Sequence, residues 1–252
     1  MAGCVVSYSN AAFAAQAQQL ADSLQLPLTH DNTAPLQLLI DASGLSLWAP
    51  ALGGPVQVDF VAGKNAHRRQ FGGGRGQPLA RAIGLKSGYN PTVIDATAGW
   101  ARDTFVLASL GCTMTLLEQQ PLLAALIEDA LQRAAKDPDI AAIAGRMQVF
   151  NANAVDFLTD LPEPDWPDVI YLDPMYPSRD KSALVKKDMQ ILHQLVGHDT
   201  TGTALLSIAV QRAKKRVVVK RPKGAPLLNT LKPVAEVVSK NTRYDIYAPL
   251  KN

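Results

Sequence analysis

Residues 93–118 read VIDATAGWARDTFVLASLGCTMTLLE, a pattern that predicts a strand, a tight turn, a helix and a second strand. The first strand, 92–95, is apolar and β-branched, as expected for a buried parallel strand. The small residues 96–99 after it leave room for a ligand to approach the backbone. Helical spacing extends over 102–110 and a second strand over 113–117, so the stretch predicts a β-α-β unit.

Two carboxylates, those of Asp95 and Glu118, are predicted at the carboxyl ends of adjacent parallel strands. In open α/β sheets a nucleoside ligand binds at such a crevice, where an acidic residue takes the ribose hydroxyls. This pattern alone fits a nicotinamide dehydrogenase about as well as a methyltransferase. However, no G-x-G-x-x-G is present to bind a pyrophosphate, and Asp103 near that position would repel phosphates. S-adenosylmethionine has no phosphate and carries a positive sulfonium, so an acid-rich site suits it.

A further predicted strand, 169–172, ends in Asp173-Pro174-Met-Tyr176-Pro. A strand that ends in Asp-Pro-x-aromatic downstream of such a unit is typical of amino-group methyltransferases. The exocyclic amine of a base is a poor nucleophile, because its lone pair is delocalised into the ring. Asp173 and the Pro174 carbonyl can accept its two N–H bonds, while Tyr176 stacks on the base. The alternatives are that Asp173 merely caps the turn and that Tyr176 only fills the core.

The 252 residues are 47% hydrophobic with a formal net charge of +3, which allows one large domain or one domain plus a small one. Two cysteines, Cys4 and Cys112, form neither a metal-binding spacing nor a disulfide framework, so a reducing compartment is expected. No apolar run reaches the length of a membrane span and the start lacks a basic signal-peptide region. We therefore expect a cytoplasmic protein without a metal site or a membrane anchor.

Basic residues are segregated from acidic ones along the chain. No acidic residue occurs in 60–94 or in 200–235. Segregation of this kind indicates a basic face for a polyanion, and it makes six residues candidates for contacts to the phosphates of a nucleic acid. They are Arg68, Arg69, Arg75, Lys220, Arg221 and Lys223. The glycines of 72–76 allow a plain flexible linker instead, and Lys220 and Arg221 allow solvated charges at a strand end.

The pattern predicts an α/β protein with a Rossmann-like seven-stranded sheet and a small N-terminal α+β domain. We expect the N-terminal domain over 1–86, with short strands at 36–41, 45–49 and 56–61 in an antiparallel unit. The larger domain is expected over 87–252, where seven strands are predicted and the last pair is antiparallel. A polar residue after the third of these strands commonly meets an adenine edge, which makes Asn153 a candidate. Turn chemistry is the alternative for Asn153.

Several motifs occur together in this order: His67-Arg-Arg-x-Phe-Gly-Gly-Gly-Arg-Gly76, Asp95-Ala-Thr-Ala-Gly-x-x-Arg-Asp-x-Phe105, Asp173-Pro-Met-Tyr-Pro177, Lys181-Ser-Ala-Leu-Val-Lys-Lys187 and Val217-Val-Val-Lys-Arg-Pro222. This combination resembles the family of ribosomal RNA small subunit methyltransferase J, a class I methyltransferase family, over nearly the whole chain. The resemblance implies methylation of the 2-amino group of a guanosine in 16S rRNA with S-adenosylmethionine as cofactor. The partner it implies is 16S rRNA or the small ribosomal subunit.

The resemblance also implies cofactor contacts, which join Asp95 and Gly99 of the first turn. The positions that match are Arg102, Asp103, Glu118, Gln119, Asn153, Ala154 and Asp173. The chain departs from the family pattern at Trp100-Ala101, where Leu-Gly is expected. Ala101 replaces a glycine, so we expect that the turn cannot easily adopt a positive φ there. A non-enzymatic alternative is an RNA-binding module with an inactive Rossmann-like core, but such a module needs neither Asp173-Pro174 nor Glu118.

Overall fold

The computed structural model describes residues 3–30, 33–62, 74–175, 188, 190, 191, 195 and 201–250. Its main feature is a seven-stranded sheet with the strand order β6-β5-β4-β7-β8-β10-β9. These strands are β4 Thr92–Asp95, β5 Thr113–Glu118, β6 Met147–Asn151, β7 Val169–Leu172, β8 Arg216–Pro222, β9 Ala235–Val238 and β10 Thr242–Tyr247. β10 is antiparallel to both β8 and β9, while β4 to β8 are parallel. The predicted fold class, strand count and antiparallel final pair are confirmed.

Helices lie on both faces of this sheet and fill two apolar clusters. They are α2 Pro78–Ile83, α3 Arg102–Ser109, α4 Pro121–Ala134, α5 Ala141–Ala144, α6 Ala154–Asp160 and α7 Gly202–Arg212; α1, Ala14–Leu24, lies before the sheet in the chain. The strand order reverses at β4, which has β5 on one side and β7 on the other. Ligands bind at such a switch point outside the carboxyl ends of the strands. The fold therefore places Asp95, Glu118 and Asp173 at one edge.

A second sheet of three strands precedes the large one, with β1 Cys4–Tyr8, β2 Leu36–Asp41 and β3 Gly44–Trp48. The expectation of an antiparallel unit was wrong for one pair, because β1 and β2 are parallel and only β2 and β3 are antiparallel. The helix α1 between β1 and β2 carries the chain back, which is what parallel neighbours require. The strand expected over 56–61 was also wrong: in this part of the described chain only Val56 forms a bridge, to Leu47.

The N-terminal sheet shares an apolar core with the larger unit. Phe60 stacks on Phe105 of α3 with ring centroids 4.8 Å apart. Arg133 of α4 donates through Nη2 to the Val58 carbonyl at 2.6 Å. The helix α2 also contacts the large sheet, since Arg216 of β8 donates to the Ala82 carbonyl at 3.2 Å. Residues before 86 are therefore packed against the larger unit, and the boundary at 86 stays a prediction.

In the part of the chain that the structure describes, no helix is long and apolar enough to cross a membrane. The described residues also contain no group of three or more His, Cys, Asp or Glu side chains placed to hold a metal ion. Both cysteines are buried, and burial raises the pKa of the Cys4 thiol to about 11.

Candidate active site

A cavity of about 470 Å³ lies at the carboxyl ends of the central strands. Its volume is in the range of small-molecule and cofactor sites, roughly 300–1,000 Å³. Residues at the carboxyl ends of β4, β5, β7 and β8, and those that follow β6, contribute to its walls. Every cofactor candidate named from the sequence lines this cavity: Asp95, Gly99, Arg102, Asp103, Glu118, Gln119, Asn153, Ala154 and Asp173. The fold thus brings together side chains that are far apart in sequence.

The turn after β4 approaches the cavity through two residues with positive φ, Gly99 at 53° and Ala101 at 52°. The expectation that Ala101 resists this conformation was wrong. Ala101 is fully buried, donates to the Ala98 carbonyl at 2.7 Å and accepts from Phe105 N at 3.0 Å, which begins α3. A non-glycine residue in this region costs roughly 1–2 kcal/mol, which the surrounding hydrogen bonds and packing offset.

Glu118 at the end of β5 holds the same turn from the side. Its Oε2 accepts from Gly99 N at 2.9 Å and its Oε1 from Gln120 N at 2.8 Å. Burial raises the pKa of Glu118, while these backbone N–H groups lower it. An ionised carboxylate has about four acceptor positions, so these bonds leave acceptor capacity for a ribose hydroxyl. The carboxylate is thus oriented in advance for a vicinal diol.

Asp95 is 2% exposed, and its carboxylate is bound by groups of the protein itself. Its carboxylate accepts from Thr97 N at 3.1 Å and from the Thr104 hydroxyl. Burial, together with the neighbouring carboxylates of Asp103 and Asp173, raises its pKa to about 7, although the hydrogen bonds from Thr104 and Thr97 act in the opposite direction. Asp95 therefore fixes the turn at the floor of the cavity and adds to the local demand for positive charge.

Behind this turn lies a network of buried charges that sequence reasoning did not find. Asp103 Oδ2 accepts from the Tyr171 hydroxyl at 2.7 Å and from Lys220 Nζ at 2.8 Å. The same Lys220 Nζ donates to Asp173 Oδ2 at 2.7 Å. Burial alone would lower the pKa of Lys220, but the two carboxylates more than reverse this and raise it. The ammonium therefore stays charged between two acids.

Asp173 follows β7 and carries the most open carboxylate of this network, with 40% of its side chain exposed. Its backbone N–H donates to Thr97 Oγ1 at 2.6 Å, which joins the ends of β4 and β7. The surrounding protein raises the pKa of Asp173, while Lys220 lowers it. Pro174 also lines the cavity. Tyr176, the predicted stacking residue, lies outside the described residues.

Two residues that line the cavity, Trp100 and Arg102, make further contacts that the sequence did not predict. Arg102 forms an ion pair with the Asp188 carboxylate, and Trp100 Nε1 donates to the Asp188 carbonyl at 3.1 Å. Trp100 and Asp188 are both 6% exposed. These partners are separated by 86 and 88 positions, so no local pattern could indicate the pairing. The unexpected Trp100 was the one indication of this contact in the sequence, because a buried indole N–H needs a hydrogen-bond acceptor.

Asn153 combines the two roles that the sequence left open. It is the N-cap of α6, and its Oδ1 accepts from Val155 N at 2.9 Å and Asp156 N at 3.3 Å. This is turn chemistry of the expected kind. Asn153 also lines the cavity beside Ala154, so its amide nitrogen is the atom available to a ligand.

The six basic candidates do not form one group. Arg75 donates to the carbonyls of Lys86 and Leu110 at 2.6 and 2.9 Å and to Asn90 Oδ1 at 2.5 Å, at the opposite edge of the sheet. Arg221 is 6% exposed and donates to the Pro226 carbonyl. Arg75 therefore lies away from the crevice, whereas Arg221 lines it with its guanidinium bound to a carbonyl. Among these candidates Lys223 is exposed, whereas Arg68 and Arg69 lie outside the described residues.

The donor set of the cavity fits S-adenosylmethionine. Four carboxylates, those of Asp95, Asp103, Glu118 and Asp173, surround a site that must receive a sulfonium and an ammonium. Glu118 and Asn153 both line it, where Glu118 would take the ribose hydroxyls and Asn153 would meet the adenine edge. A pyrophosphate would meet the Asp103 carboxylate in the first turn of α3, at the position where phosphate-binding folds offer free N–H groups.

Comparison with known proteins agrees with this geometry. The family described as "Putative SAM-dependent methyltransferase" matches residues 19–249. Ribosomal RNA small subunit methyltransferase J of Pseudomonas paraeruginosa is 51% identical over 240 residues, covering 94% of this chain and 92% of its own. The protein of the same name from Thioalkalivibrio sulfidiphilus is 50% identical and covers 96% of both chains.

A solved structure shows the same fold over nearly the full length. The crystal structure of a SAM-dependent methyltransferase from Neisseria gonorrhoeae is 35% identical, covers 98% of this chain and 96% of its own, and has a TM-score of 0.79. The fold and the carboxylate-lined cavity agree with these similarities. The chain belongs to the S-adenosylmethionine-dependent methyltransferases, in the family of ribosomal RNA small subunit methyltransferase J.

Proposed function

We propose that this methyltransferase modifies the exocyclic 2-amino group of a guanosine in the 16S rRNA of the small ribosomal subunit. The observation that carries the proposal is the Asp173 carboxylate, which is 40% exposed at the wall of the cavity that Glu118 also lines. The names of the relatives support a ribosomal RNA substrate. Such a substrate is found in the cytoplasm, in agreement with the compartment expected from the cysteines.

The chemistry rests on two acceptors at the end of β7. S-adenosylmethionine supplies an electrophilic methyl group on its sulfonium. Asp173 Oδ2 is engaged by Lys220, whereas Oδ1 accepts no hydrogen bond from the described residues. Oδ1 and the Pro174 carbonyl are the groups that accept the two N–H bonds of the amine and localise its lone pair on nitrogen. The amine proton becomes acidic only as the new bond forms, so positioning lowers the barrier more than a strong base does.

The RNA must present an unstacked guanosine to this cavity, because a paired base cannot reach Asp173. Phosphate contacts on either side would hold it in place. Lys223, exposed one residue beyond β8, is the described candidate for such a contact. Arg68 and Arg69 remain candidates from the sequence. Tyr176 follows Asp173 by three residues and remains the candidate for stacking on the base.

The test is methylation of 16S rRNA and of small subunits, both prepared from cells that lack the protein, with isotope-labelled S-adenosylmethionine. Mass spectrometry of the digested RNA should find the label in N2-methylguanosine at one position. The matched control is Asp173→Asn, which keeps the volume but weakens the acceptor. Label in another amino-methylated nucleoside would support a different nucleic-acid target. RNA binding without turnover would support the non-catalytic RNA-binding module instead.

A further inference from the structure

Lys220 occupies a position that neither a solvated charge nor a phosphate contact explains. Its side chain is 28% exposed, and its Nζ lies 2.8 Å from Asp103 Oδ2 and 2.7 Å from Asp173 Oδ2. A lysine ammonium has three donors, and two of them are used in these bonds. A phosphate would have to compete with two carboxylates for this ammonium. The exposed Lys223 is better placed for that role.

The cavity explains why a cation is required here. Asp95, Asp103 and Asp173 converge at its floor, and like charges in a poorly solvated site disfavour ionisation of one another. Tyr171 donates a hydrogen bond to Asp103, but its hydroxyl is neutral and does not offset the net negative charge. Lys220 reaches this group from β8, the neighbour of β7 in the sheet. It is the ammonium that bridges the acid of α3 to the acid at the end of β7.

We infer that Lys220 is the positioning residue for Asp173, fixing Oδ2 in an ion pair so that Oδ1 is left for the substrate amine. This role rests on the proposed function for the identity of the amine, but the ion pair can be tested without any substrate. The two bonds of Lys220 also tie Asp173 to Asp103 and thereby to Tyr171. A change at Lys220 should consequently act on turnover through Asp173 and leave RNA affinity unaltered.

The ionisation of Asp173 depends on groups from every element around it. The partial loss of solvent at the cavity wall raises its pKa, and the ammonium of Lys220 is the principal opposing influence. The charged or titratable groups that face it are Asp95 from β4, Asp103 from α3, Tyr171 from β7, and Lys220 and Arg221 from β8. Removing the ammonium should raise the pKa of Asp173, so the acid limb of kcat should move to higher pH. Removing Asp103 should have the opposite effect.

The kinetic experiment compares Lys220→Met and Lys220→Arg with Lys223→Met, the expected phosphate contact, which should weaken RNA binding and keep the pH profile of kcat. We expect kcat of Lys220→Met to fall about 100-fold, as for loss of one preorganised contact, with its acid limb at higher pH. The KM for RNA and the salt dependence of RNA binding should match the wild type, and Lys220→Arg should recover most of kcat. An unchanged kcat with weaker RNA binding and a shallower salt slope would overturn the inference and make Lys220 a phosphate contact.

A second measurement follows Asp173 directly. Protein with ¹³Cγ-labelled aspartate is titrated by NMR, and the Asp173 signal is identified by its loss in Asp173→Asn. The Asp173 titration should move to higher pH in Lys220→Met and to lower pH in Asp103→Asn. If neither variant moves it, the inference is wrong, even if both proteins are folded by circular dichroism. Because no RNA is present, this result is independent of whether guanosine is the substrate.

Discussion

The amino-terminal and carboxyl-terminal ends of the strands form two opposite edges of the seven-stranded sheet. Both edges carry charged and polar residues, but the partners of these residues differ. At the amino-terminal edge the polar groups are paired with one another. Asp168 accepts from Thr92 N at 3.2 Å and forms an ion pair with Lys215 at 3.1 Å, while Lys215 also lies 4.0 Å from the ring centroid of Tyr89. At the carboxyl edge, Asp173 keeps 40% of its side chain exposed. One edge is closed by its own contacts and the other is left open for ligands.

Arg75 and Lys220 show what this difference means for a charged residue. Both belong to basic stretches free of acids, and no local pattern distinguishes one from the other. Arg75 is bound to carbonyls at the amino-terminal edge, whereas Lys220 is bound to carboxylates at the cavity. The partner, rather than the charge of the residue, therefore decides its role. Substitutions at matched positions on the two edges test this distinction.

The largest effect is expected from Asp173→Ala at the open edge. The protein should stay folded, because the side chain is partly exposed, while kcat should fall by roughly 10² or more through loss of an acceptor for the amine. Methyl transfer to rRNA measures this directly. The matched substitution at the closed edge is Asp168→Ala, which should lower thermal stability and leave the activity of the folded protein near wild type. Activity of Asp173→Ala within about tenfold of wild type would remove Asp173 from the mechanism.

The next effect concerns the cofactor. Glu118→Ala should weaken S-adenosylmethionine binding by about 1.5–3 kcal/mol, because charged hydrogen bonds to the ribose are lost and the Gly99 N–H loses its acceptor. Titration calorimetry gives the dissociation constant. Glu128→Ala on the exposed face of α4 is the control and should bind the cofactor like the wild type. An unchanged dissociation constant in Glu118→Ala would place the ribose elsewhere.

A smaller effect is expected at the closed edge from Arg75→Ala. Loss of the guanidinium leaves the Leu110 carbonyl and the Asn90 side chain without this donor, but water can replace it at this exposed site, so the free energy of unfolding should fall by only about 0.5–1.5 kcal/mol. RNA affinity at several salt concentrations should be unaltered. The double variant Arg68→Ala/Arg69→Ala is compared with it. If these two arginines contact phosphates, the slope of log affinity against log salt concentration should become less steep by about 0.7 per lost contact. A shallower slope in Arg75→Ala would return Arg75 to the RNA-binding surface.

The sequence predicted the large sheet because its signals are local. The apolar strand 92–95 and its turn of small residues specify a parallel β-α-β unit without knowledge of distant partners. The N-terminal sheet was predicted less well. Strand direction between β1 and β2 depends on how α1 returns the chain, and the sequence around 56–61 is apolar enough for a strand although only Val56 forms a bridge.

The site divides in the same way. Positions after each strand could be named, because the carboxyl ends of parallel strands meet at one edge. The hydrogen-bond partners of these residues could not be predicted. Lys220 and Asp103 are separated by 117 positions in the chain, and Trp100 and Asp188 by 88. Such pairs depend on strand order and on helix packing. A basic run in the sequence therefore indicates positive charge, but it does not say whether a carbonyl, a carboxylate or a phosphate receives it.

The smallest effect is expected at Ala101, the residue with positive φ in the turn at the open edge. Ala101→Gly should relieve roughly 1–2 kcal/mol of backbone strain, but it removes a fully buried methyl group and gives the unfolded chain more freedom, which together cost a similar amount. The free energy of unfolding should thus change by less than about 1 kcal/mol in urea titrations. The control is Gly99→Ala, which introduces the same strain at φ 53° and should destabilise by roughly 1–2 kcal/mol. If Ala101→Gly instead raises the free energy of unfolding by more than this strain, the buried methyl group contributes no favourable packing. The backbone of the turn would then be more strained than the φ angle alone indicates.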